Sequence, residues 1–308
     1  LKFKLAQNMD AVTGAFSYSG RYLTRLLLDK GRRVVNLTNH PNRPHDFGDA
    51  VQAVPLDFKD VDRLQEHLRG VSTFYCTYWV RFDRDGQVAN PHEQAVQNLQ
   101  VLFGAAKSAG VQKVVFSSHT RATTDSPFPY IRYKALAVEA LRDAGLPSYG
   151  VVRPCGIFGD TPEESILLNN AAYLLRRSPL FLIPGDGSAK FQPVHVRDMA
   201  KFMLDLGGSG GSEEVDAVGP EALPVGELFP SIGRAVGSRN VFLSHVPAGA
   251  ITALTQPLNW LTGDILLDTN DLDLLLSGLT VADDPHGPFG ERRLTDWLTE
   301  VGSDLGKQ

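Results

Sequence analysis

The length, composition and charge of the chain exclude several classes of protein. Its 308 residues are 43% hydrophobic, which is enough for one large or two modest domains with a sizeable core. The formal net charge of −5, without a basic cluster, argues against nucleic acid as the main partner.

The two cysteines indicate a reducing environment. Cys76 and Cys155 both fall in predicted strands, where buried free thiols are the ordinary finding. We therefore expect no disulfide and a cytoplasmic location. Because the chain starts at Leu1 and not at a methionine, its native start is expected to be missing, which leaves targeting to an organelle as an alternative.

Residues 12–23 place a glycine-containing turn between an apolar strand and an amphipathic helix. Gly14 permits a tight turn, Gly20 lets the helix pack closely on the sheet, and free N–H groups at the helix start attract a pyrophosphate. Ser17 stands where a third glycine is usual, and its hydroxyl can itself donate to a phosphate. The pattern predicts a dinucleotide-binding turn, with a plain structural turn as the alternative. The residues expected to contact the dinucleotide here are Gly14, Phe16, Ser17, Tyr18, Ser19 and Gly20.

Downstream, apolar strands alternate with amphipathic helices. A helix over 19–30 stops at Gly31 and is followed by a strand over 34–38. The further predicted elements are a strand at 51–57, a helix at 60–69, a strand at 71–78, a helix at 92–109 and a strand at 113–118. This alternation predicts the α/β class, with a doubly wound, Rossmann-type parallel sheet covered by helices on both faces.

The end of the second strand indicates which dinucleotide binds. An acidic residue there would hydrogen-bond the adenosine 2′-hydroxyl of NAD(H), and none is present. Thr38, Asn39, His40 and Arg43 instead offer neutral donors and one cation, which suit a 2′-phosphate. We therefore expect NADP(H) to be preferred over NAD(H). A solvated loop arginine is the alternative role of Arg43.

The segment after the fifth strand contains groups suited to proton transfer. Pro129 fits the first position of a helix, so Tyr130 falls in the first turn and Lys134 one turn later on the same face. The side chains of Tyr130 and Lys134 are therefore expected to converge. The strand before them ends in a polar run, Ser117, Ser118, His119 and Thr120.

The order of these motifs resembles the short-chain dehydrogenase/reductase superfamily. The glycine turn, the hydroxyls after the fifth strand and the Tyr130/Lys134 pair are followed by residues 151–159, Val-Val-Arg-Pro-Cys-Gly-Ile-Phe-Gly. Residues 192–200 are similar to the His-Val segment of the extended and atypical branches. The resemblance covers nearly the whole chain. It is closest to the atypical NAD(P)H-binding branch, which includes proteins similar to the complex I 39-kDa subunit and to NAD-dependent epimerases.

The resemblance implies a catalytic role for three residues. Tyr130 would be the acid/base, Lys134 would lower its pKa and hold a ribose hydroxyl, and Ser118 would orient the substrate oxygen. Ser117, His119 and Thr120 are alternatives for the third role. Bringing a phenol of pKa near 10 to neutral pH takes roughly 4 kcal/mol. An ammonium about 4 Å away supplies about 4 kcal/mol at an effective dielectric near 20.

The resemblance also implies contacts further along the chain. Asp57 resembles the acid that faces the adenine amino group, with a turn-forming aspartate as the alternative. Phe191 stands where enzymes acting on nucleotide sugars carry an arginine, which disfavours such substrates, although the neighbouring Lys190 leaves this open. The other residues expected at the cofactor are Phe58, Thr77, Tyr78, Pro154 and Ile157. Those expected at the substrate are Trp79, Arg81, His119, Phe158 and Phe191.

The chain is expected to comprise two regions. Residues 1–160 are predicted to form the dinucleotide-binding domain and residues 161–308 a smaller substrate-binding region, with about 190–200 returning to the first. The apolar helix predicted over 165–177 favours an apolar or aromatic substrate, with core packing as the alternative. Polar residues interrupt the apolar segment 248–280, which predicts packed helices and no integral membrane segment. No residue cluster has the spacing of metal ligands.

These observations predict an NADP(H)-dependent oxidoreductase. It would act as a carbonyl or enone reductase or dehydrogenase on a small apolar or aromatic molecule, as a monomer or homodimer. The first alternative is an epimerase with internal hydride transfer, since it would use the same tyrosine. The second is a non-catalytic NAD(P)H-binding sensor or structural subunit, because a protein can keep a fold and its cofactor site after losing catalytic activity.

Overall fold

The computed structural model describes residues 9–80, 90–247, 249–251, 253 and 269–307, with the backbone alone at 269–271. The chain divides into two compact units. The first comprises Leu1–Arg153 and Met199–Val215, and the second comprises Pro154–Asp198 and Asp216–Gln308.

The described strands and helices follow the predicted alternation in the first half of the chain. The strands are β1 (Met9–Thr13), β2 (Arg33–Thr38), β3 (Val51–Pro55), β4 (Thr73–Cys76), β5 (Lys113–Ser117), β6 (Ser148–Arg153), β7 (Ile157–Phe158), β8 (Leu180–Pro184), β9 (Lys190–Phe191), β10 (Val194–His195), β11 (Glu213–Asp216), β12 (Leu223–Pro224) and β13 (Val241–Val246). The helices are α1 (Tyr18–Asp29), α2 (Val61–Leu68), α3 (Pro91–Ser108), α4 (Pro129–Asp143), α5 (Ile166–Arg177), α6 (Val196–Gly208), α7 (Val225–Ala235), α8 (Thr269–Leu276) and α9 (Leu294–Val301).

The first unit is built on a seven-stranded sheet with the order β11-β6-β5-β4-β1-β2-β3. Strands β1 to β6 run parallel, so their carboxyl ends meet at one edge. The predicted α/β class with a Rossmann-type sheet is confirmed. Its strands are nearly continuous apolar runs because helices cover the faces of the sheet, and the buried core includes Ala11, Leu37, Phe74, Phe116 and Val151. Ligands of open α/β sheets bind at the carboxyl edge, where β1, β4 and β5 end.

Local sequence signals explain where the helices of this unit begin and end. Helix α1 buries Leu23 and Leu27 on one stripe, and the chain leaves it through Gly31 at a φ of +71°. Helix α4 begins at Pro129, whose missing N–H costs nothing at a first helical position. One expectation was wrong: Cys155 lies beyond β6, which ends at Arg153 because the following Pro154 has no N–H for the sheet. Both cysteines are free thiols.

The second unit has its own apolar core. Three two-stranded sheets pair β7 with β10, β9 with β12, and β8 with β13. The core includes Leu175 from α5, Phe229 from α7 and Trp297 from α9. Helix α5 lies where the apolar periodicity predicts it. Of the packed helices expected over 248–280, α8 falls within the described ranges, whereas residues 248, 252 and 254–268 lie outside them. In the part of the chain that the structure describes, no helix is both long and apolar enough to cross a membrane.

Candidate functional site

The turn after β1 requires glycine at two positions. Gly14 has a φ of +69°, in the left-handed region, and a Cβ there would lie 2.6 Å from Ser17 Oγ. Gly20 lies in the first turn of α1, and a Cβ on it would lie 2.2 Å from the Gly14 carbonyl oxygen. A larger residue at Gly20 would push α1 away from the turn. The turn and helix therefore have the close packing that a pyrophosphate site needs.

Ser17 holds the same turn together. Its Oγ donates to the Gly14 carbonyl oxygen at 2.6 Å, and its backbone N–H donates to that oxygen at 2.8 Å. Ser17 is the N-cap residue of α1, yet its side chain makes no capping bond to the helix. Ser17 therefore does not cap the start of α1, where the positive end of the helix dipole favours an anion. Tyr18 and Ser19 follow in this first turn, half-buried.

Asn36 supports the glycine turn from a neighbouring strand, and the sequence analysis did not predict this role. It lies buried in β2, and its Oδ1 accepts a hydrogen bond from the backbone N–H of Ala15 at 2.9 Å. Thr77, after β4, donates from Oγ1 to the Thr13 carbonyl oxygen at 2.6 Å and so ties the ends of β1 and β4. The signal for Asn36 was present: an amide in the middle of an apolar strand needs a buried partner.

The loop after β2 forms an open concavity of about 560 Å³. Its lining residues are Asn39, His40, Pro41, Asn42 and Arg43. The backbone N–H of His40 donates to Thr38 Oγ1 at 3.0 Å, which shapes the start of the loop. Phe16 connects this loop to the glycine turn, because its ring stacks on His45 with 3.8 Å between centroids and 8° between planes. Polar groups and one arginine thus face solvent beside the turn.

The residues after β3 and β4 have well-defined local contacts. Asp57 Oδ1 accepts the backbone N–H of Lys59 at 2.9 Å, the bond of a turn-forming aspartate. Phe58 packs against Tyr78 with 5.0 Å between ring centroids. The Tyr78 hydroxyl accepts from Asn98 Nδ2 at 2.8 Å, and burial raises the pKa of Tyr78 above its ordinary value. Arg81, expected at the substrate, lies outside the described residues.

Helix α4 brings Tyr130 and Lys134 to the same place. Lys134 is 4% exposed, and its Nζ lies 5.9 Å from the centroid of the Tyr130 ring. The same Nζ donates to the Ser117 carbonyl oxygen at 2.8 Å, at the end of β5. Tyr130 is half-buried in the first turn of the helix. The phenol and the ammonium therefore lie together at the carboxyl edge of the sheet.

Aromatic rings surround the Lys134 ammonium. Nζ lies 4.1 Å from the ring centroid of Trp79 and 5.1 Å from that of Phe116, both within cation–π range. No carboxylate forms an ion pair with Lys134 within the described ranges. Burial disfavours the charged form and lowers the pKa of Lys134 to about 7.

Of the residues considered for orienting the substrate oxygen, His119 has its ring against Tyr130. Ser118 is buried, and its Oγ donates to the Lys134 carbonyl oxygen at 3.3 Å. His119 Nδ1 lies 2.6 Å from the carbonyl oxygen of Thr120, so Nδ1 carries the proton and donates it. The His119 ring lies 5.6 Å from the Tyr130 ring, at 84° between planes.

His92 is a second aromatic neighbour that the sequence analysis did not single out. Its ring lies 5.8 Å from Trp79, 25° from parallel, and 5.8 Å from Tyr130, edge to face. His92 Nδ1 lies 3.3 Å from the carbonyl oxygen of Val80. Near the start of α3, this histidine has no sequence pattern that relates it to Tyr130, since 38 positions separate the two residues.

The expected site residues of the second unit have contacts within that unit. Phe158 and Phe191 belong to its buried core, and Phe158 packs on His195 and Trp297 with ring centroids 5.1 Å and 5.3 Å away. Ile157 pairs with Val194 in the sheet of β7 and β10. Pro154 is buried just before it.

His195 and Asp198 act as scaffold groups of the second unit. His195 Nδ1 accepts the backbone N–H of Arg197 at 3.3 Å, and burial lowers the pKa of His195 to about 4. Asp198 Oδ2 accepts the backbone N–H groups of Glu291 and Arg292, each at 2.9 Å. The described residues contain no group of three or more His, Cys, Asp or Glu side chains arranged to hold a metal ion.

Comparison with known proteins identifies the family. A sequence profile of the NAD-dependent epimerase/dehydratase family matches residues 11–214. The chain belongs to this family. The match covers the turn of Gly14 and Gly20 and the helix of Tyr130 and Lys134.

The relatives include both a respiratory-complex subunit and a reductase. The chain is 26% identical over 301 residues to the mitochondrial NADH dehydrogenase (ubiquinone) 1 alpha subcomplex subunit 9 of Arabidopsis thaliana, covering 86% of this chain and 73% of that protein. It is 28% identical over 200 residues to the ceramide reductase of Caulobacter vibrioides, covering 65% of this chain and 61% of that protein.

Solved structures show the same fold. The triphenylmethane reductase of Citrobacter sp., in complex with NADP(H), superposes with a TM-score of 0.71 over 96% of each chain, at 16% identity. Structures of this fold contain NAD in some cases and NADP(H) in others. The family and the fold are therefore those of NAD(P)-binding proteins.

Lys134 should make the stability of the protein depend on pH. Its pKa is about 7 in the folded protein and 10.5 in an ordinary lysine. Between these two values the unfolded chain binds more protons than the folded chain, so the free energy of unfolding should rise with pH. From about pH 7 to pH 9 we expect Lys134 to contribute a rise of about 2 kcal/mol.

The measurement is urea unfolding at both pH values. The rise should be smaller by that amount in Lys134→Met, whereas Lys59→Met, which removes an exposed lysine, should behave as the wild type does. Equal pH dependence in the wild type and Lys134→Met would contradict this expectation.

Proposed function

We propose that the protein is an NADP(H)-dependent oxidoreductase that reduces a carbonyl or enone group of a small apolar or aromatic molecule. The observation that carries this proposal is the meeting of the Tyr130 phenol with the Lys134 ammonium on α4, beside the His119 ring. A phenol next to a cation is a suitable acid for a carbonyl oxygen that accepts a hydride. The family match supports the same class of chemistry.

The residues at the carboxyl edge fit a dinucleotide. The pyrophosphate would bind at the start of α1, where the lack of a Cβ at Gly14 and Gly20 lets the turn and the helix pack closely. The adenosine 2′-phosphate would lie in the concavity after β2, near Arg43. Lys134 would hold a ribose hydroxyl. When bound, the nicotinamide supplies the hydride.

Three side chains would handle the substrate oxygen. Tyr130 would donate its hydroxyl proton to that oxygen, and the Lys134 ammonium would stabilise the phenolate that forms. His119 would take the orienting role first assigned to Ser118, because the Ser118 hydroxyl donates to a backbone carbonyl of α4. Because Nδ1 donates to Thr120, the nitrogen left for the substrate is Nε2, which donates to a carbonyl oxygen once it has taken up a proton.

The surroundings of Tyr130 favour a flat, apolar substrate. Trp79, His92 and His119 all contact its ring, so aromatic surface lines the position of the acid. Aromatic side chains bind planar apolar molecules by stacking and edge contacts. The ceramide reductase of Caulobacter vibrioides is a precedent for reduction among relatives of this chain.

A second candidate function is that of a non-catalytic NAD(P)H-binding subunit. The relative from Arabidopsis thaliana favours it, since the similarity extends over 86% of this chain. In that case the partners would be other proteins, and the compartment would be an organelle instead of the cytoplasm. An epimerase with internal hydride transfer is the third candidate and would keep the role of Tyr130.

The experiment that separates these functions is a titration of the protein with NADPH and with NADH, followed by nicotinamide fluorescence. A panel of ketones, aldehydes, enones and quinones is then added to the complex. Tight NADPH binding with oxidation of the cofactor supports the reductase. Binding without oxidation by any member of the panel favours a subunit or an epimerase, and no binding contradicts all three candidates.

Arg43→Ala should distinguish the two dinucleotides. If the guanidinium reads the 2′-phosphate, NADPH affinity should fall by about tenfold or more, whereas NADH affinity should change little. The matched control is Arg33→Ala, an exposed arginine at the opposite end of β2, which should leave both affinities unchanged. Equal losses for NADPH and NADH in Arg43→Ala would mean that Arg43 is a solvated loop residue.

A further inference from the structure

The Lys134 ammonium is unusual in having no anionic partner among the residues that the structure describes. It is buried, and within the described part of the chain its hydrogen bond goes to one backbone carbonyl, that of Ser117. A buried cation is ordinarily paired with a carboxylate, because taking a charge out of water is costly. Among the described residues, Nζ also lies near three aromatic rings, of which the Trp79 ring, with its centroid at 4.1 Å, is the nearest.

Trp79 is itself held in place. Its indole packs against the His92 ring, 25° from parallel, and meets the Tyr130 ring edge to face at 86°. Among aromatic side chains, indole attracts a cation most strongly. The ring that contacts Lys134 therefore also contacts the proposed acid.

We propose that Trp79 is a further positioning residue of this site, whose indole face takes the place of a carboxylate as the partner of the Lys134 ammonium. Trp79 thereby favours the charged form of Lys134 beside Tyr130. The inference deepens the proposed function, and it rests on that function for its meaning in turnover. The contact between Trp79 and Lys134 is independent of any cofactor.

Among the described groups around Lys134, the Trp79 ring is the nearest electrostatic partner after the Ser117 carbonyl. Within the described part of the chain, the Cys76 thiol of β4 also acts on Lys134, and burial raises the pKa of Cys76 to about 11, so the thiol is neutral near pH 7. On α4, the Tyr130 phenol faces it, and on β5 the uncharged Phe116. His92 and His119 contact Tyr130 from α3 and from the segment after β5.

The test is a direct titration of Lys134 without cofactor. Protein labelled with ¹³C at the lysine Cε is titrated by NMR as wild type, Trp79→Phe and Trp79→Leu, and Lys134→Met identifies the signal. We expect the pKa of Lys134 to fall from wild type to Trp79→Phe and further to Trp79→Leu, by about 1 in total. Tyr78→Leu, which alters a neighbouring ring that packs on Phe58, should leave it unchanged.

Each outcome decides the proposal. A pKa that is unchanged or rises in Trp79→Leu would overturn it, because the indole would then only exclude water. If Trp79→Leu does not fold, Trp79→Phe is the test: the pKa of Lys134 should fall in it, and an unchanged or higher pKa would overturn the proposal. Wild type that neither binds nor oxidises NADPH would contradict the proposed function, yet the order of the three pKa values would still test the role of Trp79.

Discussion

Replacing Tyr130 by phenylalanine should lower kcat for NADPH-dependent reduction by at least about a hundredfold, while NADPH affinity stays within about twofold. The substitution removes the proton that the carbonyl oxygen needs. It keeps the ring that contacts Trp79, His92 and His119, so the surroundings of the site should persist. The measurement is the steady-state rate with the best substrate of the panel, together with a fluorescence titration of NADPH.

Tyr133→Phe is the matched control for this prediction. Tyr133 lies on the same helix, and its hydroxyl accepts a hydrogen bond from Asn90 Nδ2 at 2.8 Å. Losing that bond should change kcat less than a few-fold, because the Tyr133 hydroxyl bonds Asn90 at the start of α3 and has no role in the proposed proton transfer. Full activity in Tyr130→Phe, or equal losses in both variants, would remove Tyr130 from the proposed chemistry.

Gly20→Ala should abolish tight dinucleotide binding and destabilise the protein by about 3 kcal/mol. The new Cβ would lie 2.2 Å from the Gly14 carbonyl oxygen and 2.8 Å from its carbon, which are backbone atoms that no rotamer change relieves. Helix α1 would have to move away from the turn that receives the pyrophosphate. Urea unfolding and an NADPH titration measure the two effects.

Gly104→Ala provides the comparison for the glycine prediction. Gly104 lies within α3, and a Cβ there meets no atom within 4 Å. Alanine is the better helix former, so this variant should be more stable by up to about 1 kcal/mol and should bind NADPH normally. If Gly20→Ala behaved in the same way, the close packing of α1 against the turn would not matter for binding.

Local patterns predicted a large part of this molecule. The apolar runs form parallel strands, and the turn of Gly14 and Gly20 lies between β1 and α1. Both could be predicted because the apolar pattern and the backbone freedom of glycine are local properties of a short segment. Pro129 began α4, and the helical period then placed Tyr130 and Lys134 on one face. The family and its α/β fold followed from the order of these motifs along the chain.

Which residue joins Tyr130 and Lys134 at the site depends on where β5 ends and on the direction of each side chain after it. Ser118 and His119 are adjacent in sequence, yet one hydroxyl donates to the Lys134 carbonyl and the neighbouring ring faces Tyr130. Successive side chains of extended backbone point in opposite directions, so a shift of one residue exchanges the roles. Hydroxyl content alone could not decide which of them faces the acid.

Residues far apart in sequence completed the site through packing. Asn36 reaches Ala15 from β2, His92 reaches Tyr130 from α3, and Trp79 covers Lys134 from the segment after β4. Periodicity and turn chemistry describe each segment separately and carry no information about which segments meet. The contacts arise because a parallel sheet brings the carboxyl ends of its strands to one edge, and the buried Lys134 charge there must be offset by whatever groups the fold places around it.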